Sequence, residues 1–129
     1  TAHRACQEAD AKFLVVYLPS KEQVMLPRVV ADGELLRRYT GVSTLSGLAC
    51  PDRPDELLAT LMQNRDVPAA AVRQHGAANG IAFWSATARF EAFADRGAPA
   101  YYATDSHWRG EVQTDVADGV VEALERLGI

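Results

Sequence analysis

The chain has 129 residues, a length that suits one domain built around one hydrophobic core. Apolar residues make up 48% of it, and the formal net charge of −4 argues against nucleic acid as the main partner, because phosphates require a basic surface. The longest apolar run, residues 13–18, is far shorter than the roughly 18 residues of a membrane-spanning helix. We therefore expect a single folded domain, 1–129, with no membrane span.

The chain begins with a pattern typical of α/β proteins. Residues 2–11 contain no helix breaker and predict a helix, and the run 13–18, closed by Pro19, predicts a parallel strand buried on both faces. The loop after such a strand faces the ligand crevice of an open α/β sheet, which makes Ser20 and Lys21 candidate binding residues. The alternative is that Ser20 caps a short turn and that Lys21 is solvated.

The middle of the chain predicts helices separated by loops. A short helix is expected near 33–39, followed by a loop over 41–53 whose serines lack the strand and helix of a nucleophile elbow. Pro54 and Asp66 open two further helices, the second reaching Ala78 with His75 in a structural role near its end. Cys6 and Cys50 have no metal-ligand spacing, and two separate thiols are favoured over one disulfide.

The last third of the chain predicts a strand at 81–84, a helix from Ser85 to about Arg96, and a final helix from about 110 to 127. Between these helices lies an extended segment with a possible third strand near 101–103. The expected fold is therefore α/β, with a small, mainly parallel sheet of two or three strands flanked by helices. The final helix is expected to bury Val112, Val116, Val120, Leu124 and Leu127.

The segment before the final helix carries the strongest chemical signal. Asp105 precedes His107 by two residues, so both side chains point to the same side of an extended backbone. A carboxylate that accepts a hydrogen bond from one imidazole nitrogen leaves the other nitrogen available as a general base. Asp105 and His107 are therefore candidate members of a catalytic triad.

Three stretches together resemble SGNH (GDSL-type) hydrolase-like proteins of the alginate O-acetyltransferase-like branch. They are residues 11–24, with a strand ending in Pro-Ser-Lys; residues 80–87, Gly-Ile-Ala-Phe-Trp-Ser-Ala-Thr; and Tyr101–Trp108, with Asp-Ser-His-Trp. The resemblance implies an incomplete three-layer α/β/α sandwich in which His107 is the base and Asp105 orients it. It also implies that Trp108, Tyr102, Lys21 and Ser20 lie on the substrate side.

The same resemblance implies an esterase or O-acyltransferase that acts on acetyl or other acyl esters of carbohydrate and needs no cofactor or metal. It also implies a location outside the cytoplasm or on a membrane anchor. The family's nucleophile comes from a Gly-Asp-Ser block, which this sequence does not contain. We therefore expect the chain to be the C-terminal part of a larger domain and inactive alone. Its few strands also predict a homodimer through an exposed sheet edge.

Two other interpretations remain open from the sequence. In the first, the domain is non-catalytic and binds carbohydrate or protein, with Tyr101, Tyr102 and Trp108 as a stacking surface. In the second, the domain is purely structural: Asp105 caps the final helix, and His107 and Trp108 are packing residues.

Overall fold

The computed structural model of the protein describes residues 1–32, 54–102 and 106–128. Four sequence predictions lie outside these residues: the helix near 33–39, the loop 41–53, the state of Cys50 and the orientation of Asp105. Cys6 is a free, half-buried thiol.

The described part of the chain contains six helices and two strands. In chain order they are α1 Ala2–Glu8, β1 Leu14–Tyr17, α2 Lys21–Ala31, α3 Pro54–Asn64, α4 Val67–Ala78, β2 Ala82–Ser85, α5 Thr87–Asp95 and α6 Gly110–Arg126. The fold is α/β, mostly helical with a small parallel sheet, which confirms the predicted fold class at that level.

The sheet consists of β1 and β2, which run parallel with Leu14 opposite Ala82 and Tyr17 opposite Ser85. Every residue of both strands is half-buried, so the prediction of a strand buried on both faces is wrong. The reason is the width of the sheet: within the described ranges each strand has one neighbour, and its outer edge meets no further strand. The homodimer through this edge stays a prediction.

The predicted third strand is also wrong at its first two residues, and residue 103 lies outside the described part. Tyr101 pairs with Trp108 in a single antiparallel bridge, which we call the aromatic bridge. The Tyr102 N–H donates to the His107 carbonyl (3.0 Å), and the Arg109 N–H donates to the Ala100 carbonyl (3.0 Å). The chain therefore folds back on itself here instead of widening the parallel sheet.

The sequence predicts a loop after β1, with a short turn capped by Ser20 as the alternative, but the structure has helix α2 there. The Ser20 hydroxyl accepts a hydrogen bond from the Gln23 N–H (3.2 Å), which is the N-cap that opens this 11-residue helix. Ser20-x-x-Gln23 is a capping signature in the sequence. Pro27 lies inside this helix, although a proline in a helix interior usually kinks or breaks it.

The core lies between α2, α5, α6 and the aromatic bridge rather than on the sheet. Its buried members are Val24, Ala86, Phe90, Ala94, Ala100, Tyr101 and Val112. Phe90 is fully buried, and its ring centroid lies 5.2 Å from that of Tyr101 and 5.7 Å from that of Trp108. Aromatic packing of this kind fixes the aromatic bridge against α5.

Helix α6 buries a different stripe from the one predicted. Val112, Gly119 and Ala123 are buried, whereas Val116, Val120, Leu124 and Leu127 are only half-buried. The buried face differs from the predicted one because Gly119 lets α6 approach the Trp84 indole. The approach is so close that a residue larger than glycine would not fit at this position. Arg89 of α5 then reaches α6 through ion pairs with Asp115 (3.3 Å) and Glu122 (2.7 Å).

Replacing Gly119 with Ala should destabilise the fold, because the added methyl group would overlap the Trp84 indole. Overpacking typically costs about 1–3 kcal/mol, which exceeds the gain of about 1 kcal/mol in helix propensity. Urea unfolding measures the difference. Gly110→Ala is the matched control, since nothing lies within contact of a methyl group there. A Gly119→Ala protein as stable as the parent would show that the indole moves aside freely.

Candidate active site

His107 lies at the mouth of α6, on the segment that the aromatic bridge closes. Its side chain and that of Ser106 are exposed, while Trp108 is half-buried against Phe90. The backbone is held from both sides, since the His107 carbonyl accepts from Tyr102 and Arg109 bonds to Ala100. The imidazole is therefore carried by a fixed backbone and is reachable from solvent.

Two hydrogen bonds join this segment to the loop that leaves β1. The buried Tyr101 hydroxyl donates to the Pro19 carbonyl (2.8 Å), and the Lys21 ammonium donates to the Tyr102 carbonyl (2.7 Å). Each bond joins residues that are about 80 positions apart in the chain. Together the two bonds place the His107 segment beside the carboxyl end of a parallel strand, where ligands bind in open α/β sheets.

Burial raises the pKa of the Tyr101 phenol well above its usual value, and the nearby Glu22 carboxylate and Tyr17 phenol raise it further. The hydroxyl therefore stays protonated and can donate to Pro19 throughout the physiological range. A charged phenolate would have no proton to donate to Pro19, and its burial would be unfavourable.

Two cavities flank the Tyr102 side chain. The Lys21 cavity, of about 530 Å³, is lined by Lys21, Met25, Pro99, Ala100, Tyr101, Tyr102 and Arg109. The His107 cavity, of about 480 Å³, is lined by Tyr102, Ser106, His107, Trp108, Gly110 and Gln113. Both volumes are in the range of small-molecule sites. Tyr102 is the wall that they share.

The structure brings together four of the six predicted site residues. Lys21 contacts Tyr102 directly, and Tyr102, His107 and Trp108 line one cavity. Ser20 is elsewhere: its hydroxyl caps α2, and it lines a third cavity together with Gln23 and Arg65. Asp105 lies outside the described residues, so its pairing with His107 stays a prediction.

The two aromatic residues predicted to bind substrate differ in what they offer. Trp108 packs into the core beside Phe90, whereas the Tyr102 side chain is 49% exposed. The Arg109 guanidinium lies 6.0 Å from the Tyr102 ring centroid, within the range of a cation–π contact. Tyr102 is thus the aromatic surface available to a ligand.

Sequence reasoning missed Arg109 and Gln113 as lining residues. Gln113 follows Gly110 by three positions, so it lies on the same face of α6 and lines the same cavity. This spacing is the sequence feature from which Gln113 could have been predicted to line the cavity. No sequence feature predicts the position of Arg109 beside Tyr102, because it depends on how the segment folds back.

Two of the described serines have hydroxyls committed to helix ends. Ser20 caps α2, and the Ser85 hydroxyl accepts from the Thr87 N–H (3.3 Å) and bonds to the Thr87 hydroxyl (2.9 Å). The N-cap of α5 is Ala86, which makes no side-chain capping bond, so the prediction that Ser85 is the N-cap is wrong by one position. Ser106 adjoins His107 in the chain, and Ser43 and Ser46 lie outside the described residues.

In the ranges 1–32, 54–102 and 106–128, no three His, Cys, Asp or Glu side chains are grouped so as to hold a metal ion. None of the helices formed by these residues has the length and apolar character needed to cross a membrane.

Comparison of the chain with protein-family models, with curated proteins and with solved structures finds no match. A functional site is therefore supported by the contacts around the aromatic bridge and by the two cavities beside Tyr102.

Replacing Tyr101 with Phe should destabilise the fold by about 1–3 kcal/mol at neutral pH, because the buried Pro19 carbonyl loses its donor. The pH dependence should change as well. In the parent protein the phenol has a raised pKa when folded, so stability falls as the pH rises above about 10, where the unfolded tyrosine ionises.

Urea unfolding at neutral pH and above pH 10 would test both effects. The Tyr101→Phe protein should lack the part of the stability loss above pH 10 that comes from the Tyr101 phenol. Tyr102→Phe is the control, because its exposed side chain makes no contact with Pro19 and its loss should cost little stability. If both variants behaved alike, the bond to Pro19 would not be what secures the segment.

Proposed function

We propose that this chain carries the histidine-bearing part of an SGNH-type esterase or O-acyltransferase that acts on acyl esters of carbohydrate. The observation that carries the proposal is the placement of His107. It is exposed over a cavity of about 480 Å³, on a segment held to the carboxyl end of β1 by Tyr101 and Lys21.

In the proposed reaction His107 takes the proton of a serine hydroxyl as its oxygen attacks the ester carbonyl. The tetrahedral intermediate collapses, the alcohol leaves with the proton from His107, and an acyl-enzyme forms. Water or a carbohydrate hydroxyl then attacks the acyl-enzyme, again with His107 as base, which gives hydrolysis or transfer. Asp105 would hold the imidazole in the tautomer that leaves its reactive nitrogen towards the serine.

The nucleophile in this proposal comes from a Gly-Asp-Ser segment that the 129 residues do not contain. The sheet supports the idea that further strands belong to this domain. Both strands are half-buried, and their outer edges meet no strand among the described residues. Added strands along these edges would complete the α/β/α sandwich that the resemblance implies.

The chain alone should hydrolyse p-nitrophenyl acetate no faster than the His107→Ala chain, since a base without its nucleophile has no hydroxyl to activate. The longer protein that the proposal requires should be active. There His107→Ala should lower kcat by about 10²–10⁴-fold, the usual contribution of a general base.

Gln113→Ala in the longer protein is the control, because it alters the same cavity without removing the base. Its effect should be small and mainly on KM. If the isolated chain turned over the ester and His107→Ala abolished that turnover, the proposal that the nucleophile lies outside these 129 residues would be contradicted. Full activity of the longer protein after His107→Ala would contradict the catalytic role itself.

A second function, non-catalytic carbohydrate binding, is favoured by one observation: Tyr102 is half-exposed and forms a wall of both cavities. Sugar rings stack on such aromatic faces. If this is the function, Tyr102→Ala should abolish binding of an O-acetylated polysaccharide in isothermal titration calorimetry, while His107→Ala should leave it intact. Binding that depends on His107 and not on Tyr102 would argue against it.

A further inference from the structure

A third cavity, which we call the Gln23 cavity, lies where the first turns of α2 meet the end of α3. Its volume is about 350 Å³, within the range of small-ligand sites. Its lining includes Tyr17, Gln23, Leu26, Leu61, Asn64 and Arg65. Ser20, a candidate binding residue from the sequence, also lines it, and no residue of its lining lines the His107 cavity.

Gln23 is the unusual member of this lining. Its residue is only 7% exposed, and its Oε1 accepts a hydrogen bond from the Tyr17 hydroxyl at 2.7 Å. Its Nε2 is buried and has no hydrogen-bond partner in the described part of the protein. A buried amide donor without an acceptor costs folding free energy, so such groups usually have a partner that the protein alone does not supply.

The charges around the cavity disfavour an anion. Arg65 forms ion pairs with Glu91 (3.1 Å) and Asp66 (3.3 Å), so its charge is already balanced. The Glu22 carboxylate also lines the cavity. A bound carboxylate or phosphate would meet this acid without a matching cation. The acceptor that suits Gln23 is therefore a neutral oxygen.

The remaining lining favours an apolar body. Leu26, Leu61 and Pro68 form an apolar wall, and Leu61 is 38% exposed although its side chain is large and hydrophobic. A ligand on this wall would remove apolar surface from water, which favours binding. The Asn64 amide nitrogen donates one of its two hydrogens to the Thr60 carbonyl (2.8 Å), which leaves the second as a further donor at this cavity.

We propose that the Gln23 cavity binds a small neutral molecule whose carbonyl oxygen accepts a hydrogen bond from Gln23 Nε2 and whose apolar body packs on Leu26 and Leu61. This inference does not depend on the proposed esterase function, because it uses no residue of the His107 cavity.

Three probes of similar size and shape test the proposal: acetophenone, isopropylbenzene and benzoate. They present a neutral carbonyl, no acceptor and an anionic acceptor, respectively. In ¹H–¹⁵N and ¹H–¹³C spectra of the isotope-labelled chain, acetophenone should shift the Gln23 side-chain amide and the Leu61 methyl signals. Its Kd should be at least about tenfold lower than that of either other probe, as expected for one satisfied buried donor.

Gln23→Met keeps the length of the side chain and removes the donor, so acetophenone should then bind no better than isopropylbenzene. Gln74→Met, on the exposed face of α4, is the matched control and should leave acetophenone binding unchanged. His107→Ala should also have no effect, which separates this site from the proposed catalytic one.

Equal binding of acetophenone and isopropylbenzene to the unmodified chain would overturn the proposal, and so would an absence of shifts with acetophenone. This comparison needs no variant, so it holds even if Gln23→Met fails to fold. A buried water that satisfies Gln23 Nε2 while all three probes fail to bind would likewise overturn it.

Discussion

The arrangement of the candidate site depends on one buried hydrogen bond, from the Tyr101 hydroxyl to the Pro19 carbonyl. A phenol in the core must find an acceptor, and the backbone immediately after β1 provides it. The bond therefore fixes where the segment carrying His107 meets the carboxyl end of the sheet. Lys21 adds a second tie through the Tyr102 carbonyl. Both cavities beside Tyr102 exist because these two segments are held together.

The same bond explains why such a narrow sheet suffices for a defined site. Two parallel strands bury little surface, and every residue in them is half-buried. The core lies instead around Phe90, where α2, α5, α6 and the aromatic bridge meet. An ion pair from Arg28 to Asp95 (2.6 Å) also links α2 to α5. The helices thus hold the loop after β1 in position, a task that neighbouring strands perform in wider sheets.

Sequence reasoning succeeded where single residues set backbone conformation. Pro54 opens α3 as predicted, and α5 ends at Asp95, one residue before the predicted end near Arg96. It failed where packing decided the outcome: Gly119 lies against Trp84, and the buried residues of α6 are not the ones predicted. For the site, the sequence identified His107, Tyr102 and Lys21 separately. Their proximity depends on a contact across about 80 residues, which no local pattern encodes.

The role of Lys21 follows from the atom that it contacts. The resemblance places this lysine on the substrate side, but its ammonium donates to the Tyr102 carbonyl, a backbone atom of the segment that leads to His107. Its side chain also lines the Lys21 cavity, so a ligand there would lie beside a cation that positions the imidazole segment. Tyr102 therefore has two parts in the site: its carbonyl receives Lys21, and its ring separates the Lys21 cavity from the His107 cavity.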